Sequence, residues 1–256
     1  MLRKSVRMIS IIVPVYNAKS YILETIRMVT SQTEADWELI LVDDCSTDGS
    51  REVIKQELEK RCDVRIRLIL QEKNQGAAAA RNRGLSEAKG RYIAFLDADD
   101  VWIEEKLSRQ LKAIKEKNAG FLFTSYEFGD EEAKGTGKIV HAPASLTYQQ
   151  ALSRTVIFTS TVLFDTEKID KKLLHMPNIP SEDSATWWQI LRAGHVAYGL
   201  DAVTCIYRRP KKSLSSNKGK AIARIWYLYR KVEKLSLIKS SCLFVGWAIR
   251  ATLRRV

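Results

Sequence analysis

Short apolar runs at residues 9–15, 37–42, 66–70 and 92–96 each lead into polar or acidic side chains, and this repetition constrains the fold more than any other feature of the chain. The runs have the length and the β-branched and aromatic content of strands buried on both faces. Helical patterns lie between them. Residues 21–31 place Ile22, Ile26 and Val29 on one face, residues 51–62 do so with Val53, Ile54 and Leu58, and residues 77–88 read as a helix of small side chains. Strand and helix in alternation predict an α/β fold with a Rossmann-like, mostly parallel central sheet, right-handed crossovers and flanking helices. Ligands of such sheets collect beyond the carboxyl ends of the strands. The runs end at Tyr16 and Asn17, at Asp43 and Asp44, at Asn74, and at Asp97, Asp99 and Asp100, so this edge is the expected site.

Each polar cluster admits two readings. In Asp97-Ala98-Asp99-Asp100, three carboxylates within four residues repel one another unless a cation or hydrogen-bond donors compensate them. Oxygen ligands of this kind suit Mg²⁺ or Mn²⁺ shared with substrate phosphates; a turn capping the next helix uses the same residues. Asp43-Asp44-Cys45-Ser46-Thr47-Asp48-Gly49 carries good helix-capping chemistry, and its acids can equally accept hydrogen bonds from a ribose or a base. Asn74-Gln75-Gly76, then four alanines and Arg81-Asn82, reads as a loop and helix start where backbone approaches a ligand, or as a tightly packed small-residue helix.

After residue 117 the pattern loosens: a strand-like run at 121–126, a glycine- and charge-rich loop at 129–138, and a mixed segment at 155–164. Glu182-Asp183 opens an aromatic helical stretch through Trp187, Trp188 and Leu191. Acids at a helix N-terminus need no catalytic role. No internal repeat is present.

Taken in order, Pro14-Val15-Tyr16-Asn17, Val42-Asp43-Asp44 with Ser46-Thr47-Asp48-Gly49, Asn74-Gln75-Gly76 with Arg81-Asn82 and Gly84, and Phe95-Leu96-Asp97-Ala98-Asp99-Asp100 resemble the inverting family-two glycosyltransferases of GT-A fold, of the type that builds bacterial surface polysaccharides. The resemblance is dense over the first hundred residues and thins to separate motifs beyond. It implies a nucleotide-sugar donor, most often a UDP-sugar, and a divalent metal, Mn²⁺ or Mg²⁺. Pro14, Tyr16, Asp43 and Asp44 would hold the nucleoside, with Gly76 and Arg81 bordering the pocket. Asp97 would face the ribose or sugar, Asp99 would bind the metal bridging the diphosphate, and Asp100 would support the donor site. Asp183 is implied as the catalytic base that deprotonates the acceptor hydroxyl. Tyr207-Arg208-Arg209, with Ser213, Ser215 and Ser216, resembles the family's segment that closes over the diphosphate. Many members carry a histidine shortly after that arginine where Arg209 stands here, so either Arg208 or Arg209 is the phosphate ligand. His141, His175 and His195 are isolated and are read as structural or surface residues.

The net charge of +12 is concentrated at one end. From residue 205 onward there are fourteen Lys and Arg against the single acid Glu233, which leaves 28 basic and 29 acidic groups in residues 1–204. From residue 221 those cations are interleaved with Trp, Tyr, Phe, Leu and Ile. The longest uncharged run, 240–249, falls short of the ~20 apolar residues that span a bilayer. A basic amphipathic helix lying on an anionic membrane surface is expected, the alternative being a helix packed back on the domain. The expected organisation is a catalytic domain at 1–210, with a donor half at 1–118 and an acceptor half at 119–204, followed by a basic loop and tail at 205–256.

Other classes are disfavoured. No G-x-G-x-x-G follows the first strand, against a dinucleotide oxidoreductase, and no recognition motif accompanies the basic tail, against nucleic-acid binding. The basic segment 1–7 and the apolar run after it read as the approach to a buried strand, since no small-residue cleavage site follows. Four scattered cysteines suit a reducing compartment, so the expected location is the cytoplasm, peripheral on the inner face of the cell membrane. The expected function is sugar transfer to an acceptor hydroxyl of a glycan or lipid-linked glycan; the alternative is a catalytically silent sugar-nucleotide-binding scaffold of a membrane glycan-assembly complex.

Overall fold

The computed structural model describes residues 8–209 and 218–253. Strands β1 (Ile9–Val15), β2 (Trp37–Asp43), β3 (Ile66–Leu70) and β4 (Tyr92–Phe95) lie parallel in the order β3-β2-β1-β4. They are joined by α1 (Ile22–Thr30), α2 (Ser50–Arg61) and α3 (Ala77–Glu87). The register brings the carboxyl ends level, with Val15 opposite Asp43 and Asp43 opposite Leu70. Residues immediately after these strands therefore meet at one edge, as the alternation of elements predicts.

The short β5 (Val101–Trp102) and α4 (Lys106–Glu116) lead into a second half that continues the same sheet. It comprises β6 (Phe121–Gly129), β7 (Gly135–Val140), β8 (Ser145–Leu146), β9 (Val162–Asp165) and β10 (Ala197–Arg208). Here the sheet turns mixed: β9 is antiparallel to both β4 and β6, while β10 runs parallel to β6. Between these strands lie α5 (Tyr148–Leu152), a 3₁₀ turn at Thr159–Thr161 and α6 (Glu182–Arg192).

Three sequence expectations change in this half. The stretch 129–138 is a hairpin rather than a loop, closed by Asp130, whose Oδ1 accepts the backbone N–H groups of Glu132 at 3.1 Å and Lys134 at 2.8 Å. Strand β7 is exposed along most of its length and so carries no apolar pattern to reveal it. The mixed segment resolves into the 3₁₀ turn and β9. Residues 205–208 do not open the basic loop; they complete β10, with Cys205 fully buried in the sheet.

The small side chains of α3 have a packing reason. A Cβ on Gly84 would lie 2.4 Å from Cγ2 of Ile12, so the helix rests directly on β1. On the other side, Phe95, Phe121, Phe164 and Trp187 form one aromatic cluster, with Trp187 stacked on Phe164 at 5.4 Å. The cluster anchors α6 to the centre of the sheet, and with it the acidic pair at the start of that helix.

The tail folds back on this second half. Helix α7 (Lys218–Tyr227) and a π-helical turn at Leu228–Val232 bring Tyr229 parallel to Trp188 at 5.7 Å, and its hydroxyl donates to the Leu152 carbonyl at 2.5 Å. Glu233 accepts from Tyr148 at 2.5 Å and from Arg192 at 2.7 Å. In α8 (Leu237–Leu253), the Trp247 indole donates to Thr155 at 3.1 Å. The opposite face of α8 is open: Leu237, Ile238, Val245 and Ile249 are exposed, Ile238 to 79%. No helix among the described residues is long and apolar enough to cross a membrane.

Candidate active site

A cleft of about 440 Å³ opens at the expected sheet edge, lined by Pro14, Tyr16, Asp44, Gly76, Arg81, Asp97 and Asp99 together with their neighbours. Its rim is two loops tied to each other. The backbone N–H of Asn17 donates to Ser46 Oγ at 3.0 Å, that of Thr47 to Asn17 Oδ1 at 2.8 Å, and that of Lys19 to Asp48 at 2.9 Å. Asn17 and Cys45 take positive φ angles of 51° and 63° to make this fit. Tyr16 lines the cleft and leaves more than half of its surface open.

The adjacent acids Asp43 and Asp44 do different work, because successive residues of an extended chain point to opposite sides. Asp43 is fully buried, pairs with Arg51 and accepts the Ser46 backbone N–H at 3.2 Å; it does not line the cleft. Asp44 lines it, and both of its oxygens hold the next loop: Oδ1 accepts from Gln71 at 2.6 Å and from the Gln75 N–H at 2.8 Å, and Oδ2 from the Gly76 N–H at 2.7 Å. Gly76 sits at φ 86°, ψ 168°, a conformation essentially reserved for glycine. Asp44 thus shapes the cleft through the backbone before any ligand arrives.

Arg81 joins the two halves of the site. Only 5% exposed, it donates from Nη2 to Asp97 Oδ1 at 2.5 Å and from Nη1 to Glu182 Oε1 at 2.9 Å. Burial disfavours its charge, but Asp97, Glu182 and Asp183 outweigh that and raise its pKa above the ordinary arginine value. The backbone N–H of Asp97 donates to Ser160 Oγ at 3.0 Å, and the Ser160 hydroxyl donates to Asp100 Oδ2 at 2.5 Å.

The remaining carboxylates are under-compensated. Burial, then the charge of Asp97, pushes Asp99 up to about 6. Burial, then Asp97 and Asp99, pushes Asp100 well above the usual carboxylate range, and its Oδ1 is buried without a hydrogen-bond partner. This is the electrostatic state that a bound cation relieves. Among the described residues no three His, Cys, Asp or Glu side chains are grouped to cage a metal. The donor set therefore suits an ion held by one or two carboxylates and completed by phosphate oxygens, the habit of Mg²⁺ and similar ions.

Glu182 and Asp183 open α6 immediately after Ser181, which is held left-handed at φ 59°. Asp183 accepts its neighbour's N–H, from Ser184, at 2.6 Å and the Thr159 hydroxyl at 3.4 Å. Burial, then the charge of Glu182, raises its proton affinity. Glu182 is committed to Arg81, whereas Asp183 has no cationic partner within salt-bridge distance among the described residues. A half-buried carboxylate of raised pKa is suited to proton abstraction.

The arginines at the end of β10 are placed beside the site, not in it. Arg208 is 6% exposed and spends its guanidinium on the Asp99 carbonyl at 2.8 Å, the Glu131 carbonyl at 2.9 Å and Glu24 at 2.6 Å, while stacking over Tyr21. Arg209 lies over the ring of Phe128. Neither lines the cleft, and Ser213, Ser215 and Ser216 fall outside the described residues. Sequence reasoning missed Thr159 and Ser160, which tie the acidic loop to the start of α6, and Glu24, which anchors Arg208. None belongs to a patterned motif; the only signal is the polar run Thr159-Ser160-Thr161 inside an apolar segment.

A largely parallel α/β sheet whose carboxyl edge holds an Asp-X-Asp loop and an open cleft, with a separate acidic pair, is the arrangement that the resemblance to sugar transferases of GT-A fold implied. Residues 10–170 match the pattern of the family Glycosyl transferase family 2, and the chain belongs to that family. It is 42% identical over 250 residues to the putative teichuronic acid biosynthesis glycosyltransferase TuaG of Bacillus subtilis, covering 97% of this chain and 98% of that one. It is 37% identical over 220 residues to the Escherichia coli UDP-Glc:alpha-D-GlcNAc-diphosphoundecaprenol beta-1,3-glucosyltransferase WfgD, covering 86% and 84%. Among solved structures, Staphylococcus aureus TarS 1-349 in complex with UDP-GlcNAc superimposes with a TM-score of 0.69 at 19% identity, covering 94% of this chain and 71% of that one. The mannosyltransferase PcManGT of Pyrobaculum calidifontis, in complex with GDP-Man and Mn²⁺, does so with a TM-score of 0.71 at 18% identity, covering 96% and 73%. The expected family and GT-A architecture are thereby borne out.

Proposed function

We propose that the chain transfers a sugar from a UDP-sugar to an acceptor hydroxyl with inversion, on a lipid-linked glycan of cell-surface polysaccharide synthesis. The carrying observation is the Arg81 bridge, which links the acidic donor loop at Asp97 to the acidic pair at Glu182-Asp183. Tyr16 and Pro14 offer the base an open ring and wall, Asp44 and Gly76 set the loop at residues 74–76 against the ribose, and Asp43, through Ser46 and Arg51, supports the loop after β2. Asp99, with Asp100 behind it, would hold a divalent ion whose chemistry there is to neutralise charge on the leaving diphosphate. The PcManGT complex with Mn²⁺ supports that choice of ion. Asp183 takes the proton of the acceptor hydroxyl as its oxygen attacks the anomeric carbon and the bond to the diphosphate breaks. One displacement from the face opposite the leaving group inverts that centre. The names of WfgD and TuaG support a lipid-linked or envelope glycan acceptor, and the UDP-GlcNAc complex of TarS supports uridine.

The open row Leu237, Ile238, Val245 and Ile249, flanked by Lys234 and Lys239, supports peripheral attachment to an anionic membrane at its cytoplasmic face. The deciding experiment is calorimetric titration with UDP, in Mn²⁺ and in EDTA. Metal-dependent binding that is lost in Asp99→Ala supports the donor site, and turnover of UDP-sugars lost in Asp183→Asn supports transfer. Binding without turnover of any sugar donor would favour the silent scaffold instead.

A further inference from the structure

A second opening lies between α5, residues 154–157 and the first turns of α6, lined by Arg154, Thr155, Ile157, Ser184, Trp187 and Trp188. Its enclosed part is about 10 Å³, room for one water, so a larger ligand would rest across its mouth. Two of its polar groups have nothing to bond. Arg154 is half-buried, and its guanidinium makes no hydrogen bond or ion pair among the described residues. Trp187 is 2% exposed, with its indole N–H buried and without a partner. Arg154 shares the lack of a carboxylate partner with other arginines among the described residues, but it lines an opening that also holds a buried, unbonded N–H. A half-buried guanidinium and a buried N–H left unbonded favour an anion that accepts from the first directly and from the second through one enclosed water.

The location says which anion. On one side Ser184 directly follows Asp183. On the other, the residues flanking Arg154 are bonded to α8: Ser153 accepts from Arg250 at 3.1 Å and Thr155 from Trp247 at 3.1 Å. Arg154 thus lies between the start of α6, with Asp183, and the packed face of α8, the helix whose other face carries the exposed apolar row; an anion there would lie between an acceptor hydroxyl and that helix.

We propose that Arg154 and the Ser184 hydroxyl, with the Trp187 N–H acting through the one water the opening can hold, form an acceptor subsite for the phosphate or diphosphate that joins the acceptor sugar to its lipid. The inference rests on the lipid-linked reading of the function and adds the residues that select for it. A planar guanidinium engages two phosphate oxygens at once, which a lysine cannot do.

The test is titration of geranyl diphosphate into the full chain in EDTA, so that no metal recruits the probe to Asp99. Wild type is expected to bind it, inorganic pyrophosphate to compete and geraniol not to compete. Arg154→Ala is expected to weaken binding at least about tenfold, as loss of a charge-assisted contact does, with Arg154→Lys in between. No binding by wild type, equal binding by Arg154→Ala, or equal competition by geraniol would overturn the subsite. A parallel titration with UDP and Mn²⁺ reports folding of each variant and the donor site separately. Failure of UDP binding in wild type while the Arg154 effect persists would sink the donor reading and leave the subsite standing.

Discussion

Arg81 and Glu182, 101 residues apart in sequence, are joined by a 2.9 Å ion pair inside the domain, and the same guanidinium holds Asp97 at 2.5 Å. Cutting this bridge leaves two partly buried acids without compensation. Arg81→Ala is expected to cost about 3–5 kcal/mol, the range for removing one member of a buried pair. Arg81→Lys recovers only part of it, because a point charge cannot span both carboxylates. Urea denaturation of the three proteins checks the order.

Asp183→Asn is expected to lower turnover by about 10²–10⁴-fold while leaving UDP affinity unchanged, the range assigned to a positioned general base. Because burial and then Glu182 raise the pKa of Asp183, activity should rise with pH through a value above the ordinary aspartate range. Removing the neighbouring negative charge in Glu182→Gln lowers that pKa, so the acid limb should move to lower pH. An acid limb that stays in place excludes Asp183 as its origin.

Asp99 titrates near 6 in the folded, metal-free protein, above the ordinary aspartate value of 3.8. A raised carboxylate pKa supports the fold below the unfolded value, and that support is lost as pH rises through the folded value. Asp99→Asn should therefore melt higher than wild type in EDTA above about pH 6, the difference closing towards pH 4. With Mn²⁺ and UDP present the order should reverse. Differential scanning calorimetry across this range measures both arms.

Two glycines should fail for different reasons. Gly84→Ala drives a Cβ to within 2.4 Å of Ile12 and should cost about 1–3 kcal/mol by overpacking. Gly76→Ala meets no atom within 4 Å but must hold φ 86°, so its cost of about 1–3 kcal/mol is conformational. Ile12→Ala, which removes the clashing Cγ2, should relieve the overlap in the first variant and leave the strain of the second unchanged.

The outer face of α8 separates membrane contact from folding. Ile238→Asp with Val245→Asp should reduce binding to anionic liposomes at least several-fold without changing the melting temperature, since both side chains are exposed. Tyr229→Ala, which removes a buried ring stacked on Trp188, should lower stability by about 3–5 kcal/mol. Liposome flotation and thermal melts distinguish the two faces.

Periodicity alone determined that strands and helices alternate in the first hundred residues, and the polar residues after each strand marked the working edge, because both properties are local. The ordered acidic motifs pointed in the same way to the cleft that Asp44, Asp97 and Asp99 line. Tertiary structure decided what each charge does. Asp43 serves Arg51 while Asp44 serves the backbone of residues 75 and 76, a division that adjacent acids in a motif do not reveal. Arg208, one of the two arginines the sequence offered for the diphosphate, pairs with Glu24, 184 residues away in sequence. The tail, read as one amphipathic surface, divides into a face stacked on Trp188 and bonded to Thr155 and another left open. Charge pairing and burial depend on distances between elements far apart in the chain. Residue spacing carries the local period of each element but not those distances, so the partners of Arg81, Arg208 and Glu233 became visible only once the sheet had assembled.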